Sequence, residues 1–253
     1  MSKITLLTAD EAIHDWNTLA LNNTDNITIA HHPSLYFFFT NYLKLPAYYF
    51  LIYQEDKLIG LLPLVKTGKK YISLPHFSYG GVLWKSKPGF HEDQVIDTIL
   101  NQLQKEKNLP GFYRWDIGAE MKNERSSIPI EIRSTKSFFA NANASKVVHT
   151  IPLNTNLEEL KNTFDPNLKR KVNKSLKNSL TVRPGKQELI KDFSRVYNRN
   201  MHTIGSPTLG AKFFDALVST KGIDTRVFVA YKDRIPVGGS LVMWYDGYYE
   251  NLW

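Results

Sequence analysis

The chain has 253 residues, of which 42% are hydrophobic, 13% aromatic and 22% charged, enough for one large core or two of ordinary size and too apolar for a disordered chain. It contains no cysteine, which excludes disulfides, thiolate metal sites and a cysteine nucleophile, and fits a reducing compartment. Lys and Arg number 32 against 24 Asp and Glu, a net charge of +8 that suits either simple solubility or a polyanionic partner such as a nucleic acid, a nucleotide-linked substrate or a membrane surface.

Along the chain, Met1 to Asp10 shows no basic start followed by an apolar run, so no signal peptide is expected. A helical pattern begins at Asp10 and carries Ile13, Trp16 and Leu19, with Thr8 as a cap; Pro33-Ser34 opens a second, aromatic through Tyr36–Phe39 and Tyr42. Ala47–Tyr53 reads as a buried strand, Gln54–Lys57 as a turn and Leu58–Val65 as a second strand. These are the longest apolar stretches, far short of the roughly 20 residues of a membrane span, so a cytoplasmic protein with no membrane span is expected. Short strands follow at Tyr71–Leu74 and Tyr79–Trp84, the latter with Gly80-Gly81 marking a bulge or close backbone approach. Phe90–Leu103 is amphipathic, with Val95, Ile99 and Leu103 on one face, and strands are expected at Phe112–Ile117 and Ile128–Arg133.

From Lys146 the order restarts. Strand Val147–Leu153, short helix Leu157–Phe164, basic helix Asn167–Asn178 and strand Leu180–Arg183 come first. Helices Gln187–His202 and Ala211–Val218, strands Arg226–Tyr231 and Val237–Trp244 around a charged turn, and a strand at Tyr248–Trp253 complete the pass. Phe50–Gly60 aligns without a gap on Phe228–Gly238, each a strand, a charged turn and a strand ending in glycine. Tyr79–Trp84 aligns on Tyr248–Trp253 in the same order. This predicts a duplicated α/β unit with mixed sheets, 1–145 and 146–253, joined near Asn141–Ser145. The first copy runs on past Trp84, whereas the second reaches only its matching Trp253. The second copy is therefore expected to be incomplete, lacking the covering helix of its final strand-and-helix return, and either the natural protein is longer or this chain is a fragment.

Signatures of metal and nucleophile chemistry are missing. There is no Gly-x-Ser-x-Gly, no P-loop, no Gly-x-Gly-x-x-Gly and no His-x-x-x-His, which argues against a metal enzyme and a triad hydrolase. The basic helix stands out: Leu168, Val172 and Leu176 recur every four residues as an expected buried stripe, leaving Arg170, Lys174 and Lys177 as a cationic ridge with Lys171 beside it. From Leu157 to Lys186 there are eight Lys or Arg against three Asp or Glu, a pattern open to two readings, a solvated face or phosphate contact. Asp165-Pro166 supplies an N-cap and an N1 proline. Met201–Pro207 ends one helix through Gly205 and either brings His202 and Ser206 to a cleft or is a plain connection. Gly238-Gly239 in a strand permits close approach of backbone or ligand, or marks a bulge.

The run Phe164–Arg183 resembles the basic helix and strand of the Fem-like branch of the GNAT superfamily, which includes the FemABX aminoacyltransferases and the BioF2-like acetyltransferase domain. More narrowly, Leu74–Leu83, Tyr197–Thr208 with Phe213-Phe214, and Pro236–Leu241 are similar to FemAB-like proteins of the exosortase (PEP-CTERM) system. The resemblance implies tandem GNAT-like folds and transfer of an acyl or aminoacyl group to an amine of a cell-envelope or exopolysaccharide precursor. Acyl-CoA or aminoacyl-tRNA would be the co-substrate, with no tightly bound cofactor and no metal. On that reading Lys169, Arg170, Lys171 and Lys174 contact donor phosphates. Ser206, Gly238 and Gly239 line the substrate, and His202, Tyr249 and Glu250 lie near the reacting groups. The loop Lys85–Phe90 departs from the Arg/Gln-x-x-Gly-x-Gly/Ala pattern by which GNAT folds hold pyrophosphate. Two alternatives stay open, a non-catalytic module binding RNA or an anionic glycan, and a CoA-dependent acetyltransferase of a small amine.

Overall fold

The computed structural model describes residues 2–7, 14, 16–18, 29–54, 57–68, 70–77, 80–85, 112–114, 130–132, 146–148, 156–245 and 247–253. The expected helix Phe90–Leu103, the joint Asn141–Ser145, the loop after Lys85, Tyr79, and most of the helix expected from Asp10 lie outside the described residues. So do the ends of the strands expected at Phe112–Ile117, Ile128–Arg133 and Val147–Leu153. The chain divides into two compact units, Met1–Val148 and His149–Trp253.

In the first unit, β1 (Ser2–Leu7) pairs antiparallel with β2 (Ala47–Gln54), from Ser2 opposite Gln54 to Leu7 opposite Tyr49. This strand is an addition to the sequence reading, which gave residues 2–7 no element. Next come β3 (Lys57–Thr67), β4 (Lys70–Ile72) and β5 (Leu83–Trp84), all antiparallel to a neighbour, and β6 (Phe112–Arg114) lies parallel to β4. The sheet runs β1-β2-β3-β4-β6, with β5 also on β3. A separate ladder joins β7 (Ile130–Ile132) to β8 (Lys146–Val148).

β2 is apolar through its centre, Phe50–Ile52, because both faces of the sheet are buried there. Tyr49 and Leu51 pack with Trp16, Leu61 and Leu83 on one side. Phe50 and Ile52 pack with Ile59, Leu62, Leu64 and Tyr71 on the other. A single turn of helix, α1 (Ser34–Phe37), passes directly into a π-helical turn, Phe38–Tyr42, that buries Phe38 and Phe39.

In the second unit, α2 (Leu157–Asn162), α3 (Pro166–Lys177) and β9 (Thr181–Gly185) precede a 3-10 turn that leads into α4 (Ile190–Thr203) and α5 (Ala211–Ser219). Then follow β10 (Asp224–Lys232), β11 (Ile235–Tyr245) and β12 (Tyr248–Asn251), in an antiparallel sheet of order β12-β11-β10-β9. Burial along β10 alternates, with Thr225, Val227, Val229 and Tyr231 buried and Arg226 exposed, as expected of a sheet covered on one face. That cover is α4 and α5, whose Phe193, Phe213, Phe214 and Leu217 are buried with Leu241 and Met243 of β11. Phe214 meets Phe193 edge to face at 5.0 Å and Tyr197 at 4.9 Å, a ring cluster in which each fully buried side chain stabilises by about 2 kcal/mol.

The hairpins of the two units coincide in detail. In β2–β3, Ile52 faces Gly60 and Tyr53 faces Leu58, so Ile59 is the extra residue of a bulge. In β10–β11, Ala230 faces Gly238 and Tyr231 faces Pro236, so Val237 is the extra residue. These are the positions that the sequence alignment superimposes. The second hairpin turns through Asp233 and Arg234, both with positive φ (50° and 65°), the two-residue turn whose twist matches paired strands.

The next pairing has shifted. Leu61 faces Leu83 in the first unit, but Leu241, two residues further along its strand than the alignment predicts, takes the partner in the second. Leu241 N–H donates to Trp253 O at 2.6 Å, and Leu252 N–H donates to Leu241 O at 3.0 Å. Two residues thus oppose one, and this bulge carries the Trp253 ring to the helix-covered face, 5.5 Å from both Phe213 and Phe214.

Candidate functional site

The basic helix α3 is built as its sequence demands. Asp165 caps it, Oδ1 accepting from Leu168 N–H at 2.9 Å, and Pro166 follows in the first turn. The expected buried stripe is corrected, however, because α3 buries no residue at all. Leu168 is 40% exposed and Leu176 75% exposed, so the four-residue period marks an amphipathic helix with no covering element among the described residues.

Its cations fall into two groups. Lys169 Nζ donates to Asn162 O at 3.1 Å, tying the end of α2, and Arg170 Nη2 donates to Asn167 Oδ1 at 3.2 Å. Lys171 and Lys174 are exposed.

His202 and Ser206 flank the end of α4, and both are exposed. Gly205 has φ +69°, its N–H donates to His202 O at 3.2 Å, and Ser206 N–H donates to Met201 O at 2.9 Å. Both bonds belong to a Schellman closure, which accounts for the glycine by the left-handed backbone it must adopt.

The paired glycines lie on opposite faces of β11, as neighbours in a strand must. A Cβ at Gly239 would lie 2.9 Å from Phe193 Cδ2, so this glycine allows α4 to sit close on the sheet. At Gly238 the only neighbour within 4 Å is Ala230 Cβ, at 3.5 Å, so its face is open. The same alternation divides Tyr249, opposite Trp244, from Glu250, opposite Met243. The candidates on the sheet are thus split between two faces: Gly239 and Glu250 on the side of α4 and α5, Gly238 and Tyr249 on the other.

On that other face stands a feature that single-residue reading missed. Arg226 places its guanidinium carbon 4.7 Å from the centre of the Trp244 ring, and Trp244 stacks on Tyr249 with ring centres 5.9 Å apart and planes inclined by 30°. Asp224 holds the cationic end, 3.9 Å from Arg226 and 3.0 Å from Lys186. Register is the signal that would have found it, since the two-residue turn at Asp233-Arg234 places Asp224 opposite Trp244 and Arg226 diagonal to it.

The first unit has a second feature of interest. Leu74 and His76 both have positive φ (48° and 76°), conformations that cost a non-glycine residue on the order of 1–3 kcal/mol and persist only where the surroundings enforce them. Next to them in the chain, Gly81 N–H donates to Ser73 Oγ at 2.8 Å, and buried His31 donates from Nε2 to Gly81 O at 3.2 Å. Trp16 Nε1–H in turn donates to His31 O at 2.9 Å. Burial holds His31 and His32 at a pKa of about 4, so both are neutral at pH 7.

A shallow depression of about 530 Å³ is lined by Lys186, Gln187 and residues 218–224, none of them an expected site residue. Among the described residues no group of three or more His, Cys, Asp or Glu is placed to hold a metal ion. No helix among them is long and apolar enough to cross a membrane.

No family model matches the chain, and no curated protein matches it. Among solved structures, it is similar to FemX, at 15% identity over 90% of this chain and 57% of that one, with a TM-score of 0.48. It is also similar to a tandem GNAT protein from the clavulanic acid biosynthesis pathway, at 11% identity over 96% of this chain and 74% of that one, with a TM-score of 0.46. The chain therefore spans little more than half the length of FemX.

Proposed function

We propose that the protein is, or is part of, an N-acyl or aminoacyl transferase of Fem-like type, acting on an amine of a cell-envelope or exopolysaccharide precursor. The observation that carries this reading is the repetition of one bulged hairpin, register for register, in two α/β units. A tandem is what the ordered motifs at Leu74–Leu83, Phe164–Arg183 and Tyr197–Thr208 imply.

In the reaction the free amine attacks the carbonyl carbon of a thioester or a ribose ester, forming the C–N bond. The C–S or C–O bond breaks, and the thiol or hydroxyl leaves with a proton. Little covalent help is needed, because holding donor and amine in line supplies much of the acceleration. Glu250 or His202 takes the proton lost by nitrogen, Tyr249 and Ser206 contact the substrate beside Gly238, and Lys169, Arg170, Lys171 and Lys174 meet the donor's phosphates.

The test is transfer of labelled acyl or aminoacyl groups to amine-bearing precursors, offering acyl-CoA and charged tRNA separately. Turnover with one donor supports the reading and identifies the donor; no turnover with either overturns it. CoA-dependent turnover of a simple amine alone would mark a small-molecule acetyltransferase.

A second reading is favoured by one observation, that α3 presents its cations on a helix with no buried residue. A non-catalytic module gripping RNA or an anionic glycan needs no more than that. Retained polyanion affinity with no turnover would select it.

A further inference from the structure

The Arg226–Trp244–Tyr249 ladder has one closed end and one open end. Arg226, on β10, meets Trp244 from the interior side of the sheet, at 4.7 Å, and Tyr249, on β12, meets it from the edge side. Tyr249 is itself 57% exposed, and it belongs to β12, the edge strand of the described sheet. A flat, fixed aromatic face at the end of a stack is poor at holding a chain of sp³ carbons and good at holding another ring.

We propose that Tyr249 is the stacking platform for a purine, the adenine of the group-transfer donor. The proposal rests on the transferase reading, since an acyl-CoA and a charged tRNA both carry adenosine with phosphate, the former in its nucleotide and the latter at its reacting end. Two observations favour a base over a sugar ring. The guanidinium on the far side draws π density from the stack, which weakens the C–H contacts a hexose makes and suits an electron-rich purine. The charge around the ladder is net positive, three cations (Arg183, Lys186 and Arg226) standing against two carboxylates (Asp224 and Glu188), which suits a phosphorylated ligand. The rigidity of the arrangement also matters. Trp244 cannot swing away without giving up both neighbours, so Tyr249 is held at a fixed inclination and little ordering entropy remains for the ligand to lose.

The experiment is a titration with AMP, adenosine 3′,5′-bisphosphate, a CCA trinucleotide and N-acetylglucosamine, followed by tyrosine ring resonances and by tryptophan fluorescence. The adenosine probes should perturb Tyr249 and quench Trp244. Tyr249→Ala should weaken their binding by about tenfold or more, as loss of one base–aromatic stack does, while Tyr249→Phe keeps it. Tighter binding of the bisphosphate points to a CoA thioester, and tighter binding of CCA to a charged tRNA; either supports the platform. Adenosine binding that is unchanged in Tyr249→Ala, or a Tyr249 response to N-acetylglucosamine and not to adenosine, overturns it. The two ideas fail separately: Tyr249-dependent adenosine binding without acyl transfer sinks the transferase reading alone, and transfer with Tyr249-independent binding sinks the platform alone.

Discussion

Tyr231 donates its hydroxyl hydrogen to Asp192 Oδ2 at 2.8 Å, joining strand β10 to helix α4 through a charged acceptor. Asp192 is also 3.8 Å from Arg195, and Arg183 lies 5.7 Å from the centre of the Tyr231 ring, so the pair is embedded in a small charged network. Removing the hydroxyl in Tyr231→Phe is expected to cost about 1.5–3 kcal/mol, the range for a hydrogen bond to an ionised group, with little loss of packing. Urea unfolding of that variant beside Asp192→Asn checks it. A double variant no worse than the worse single one shows that the two groups act on each other.

The two neighbouring glycines of β11 should respond differently to the same added methyl group. At Gly239 the new carbon would press on Phe193, so Gly239→Ala is expected to destabilise by about 1–3 kcal/mol. At Gly238 it would make an ordinary contact with Ala230, so Gly238→Ala should stay within about 0.5 kcal/mol of the parent. Chemical denaturation midpoints of the two variants decide the matter.

Acid should loosen the first unit before it loosens the second. His31 and His32 have folded-state pKa values lowered by burial to about 4 from 6.5, so the unfolded chain takes up protons first as pH falls. The stability that depends on their neutral forms is present in full above pH 6.5 and is lost as pH falls from there towards 4, by at most about 1.4 kcal/mol per pH unit for each group. Thermal melts at pH 7.5, 6 and 5 measure the slope, and replacing both histidines by asparagine should flatten it.

Because α3 buries nothing, its cations can be removed without touching a core. Arg170→Ala with Lys174→Ala should leave the melting temperature within about 1–2 °C of the parent. If the helix meets phosphates, the slope of log affinity against log salt for RNA falls by about 1–2. An unchanged slope means the ridge is only solvated.

Much of the fold was legible because periodicity and turn chemistry are local. The hairpin of the second unit, its charged turn, the capped basic helix and the two amphipathic helices α4 and α5 follow from such patterns. So does the duplication, since Phe50–Gly60 and Phe228–Gly238 share a register that a gapless alignment already contains. What escaped depends on distant partners. Residues 2–7 become a strand because β2 offers an edge, and their own pattern is too mixed to say so. Leu168 and Leu176 have a core-like spacing, yet spacing does not provide a neighbour to bury them.

The site was less legible for the same reason. Adjacent residues such as Gly238 and Gly239, or Tyr249 and Glu250, look like one cluster in a sequence and separate onto two faces in a strand. Arg226, Trp244 and Tyr249 are far apart in sequence and adjacent in the sheet. Ser73, His31 and Gly81 are likewise brought together only by the fold.

The supernumerary residues Ile59 and Val237 have a consequence for how each hairpin can move. Each sits just past the second residue pair from the turn and acts as a pawl against a toothed wheel. Sliding one strand past the other by a single notch would carry the extra residue into the regular ladder, move Leu61 into the opposite core cluster and turn Leu241 away from the helices. Slippage is therefore blocked from the loop end in both halves. In each half the hairpin itself keeps a strand aligned with its mate.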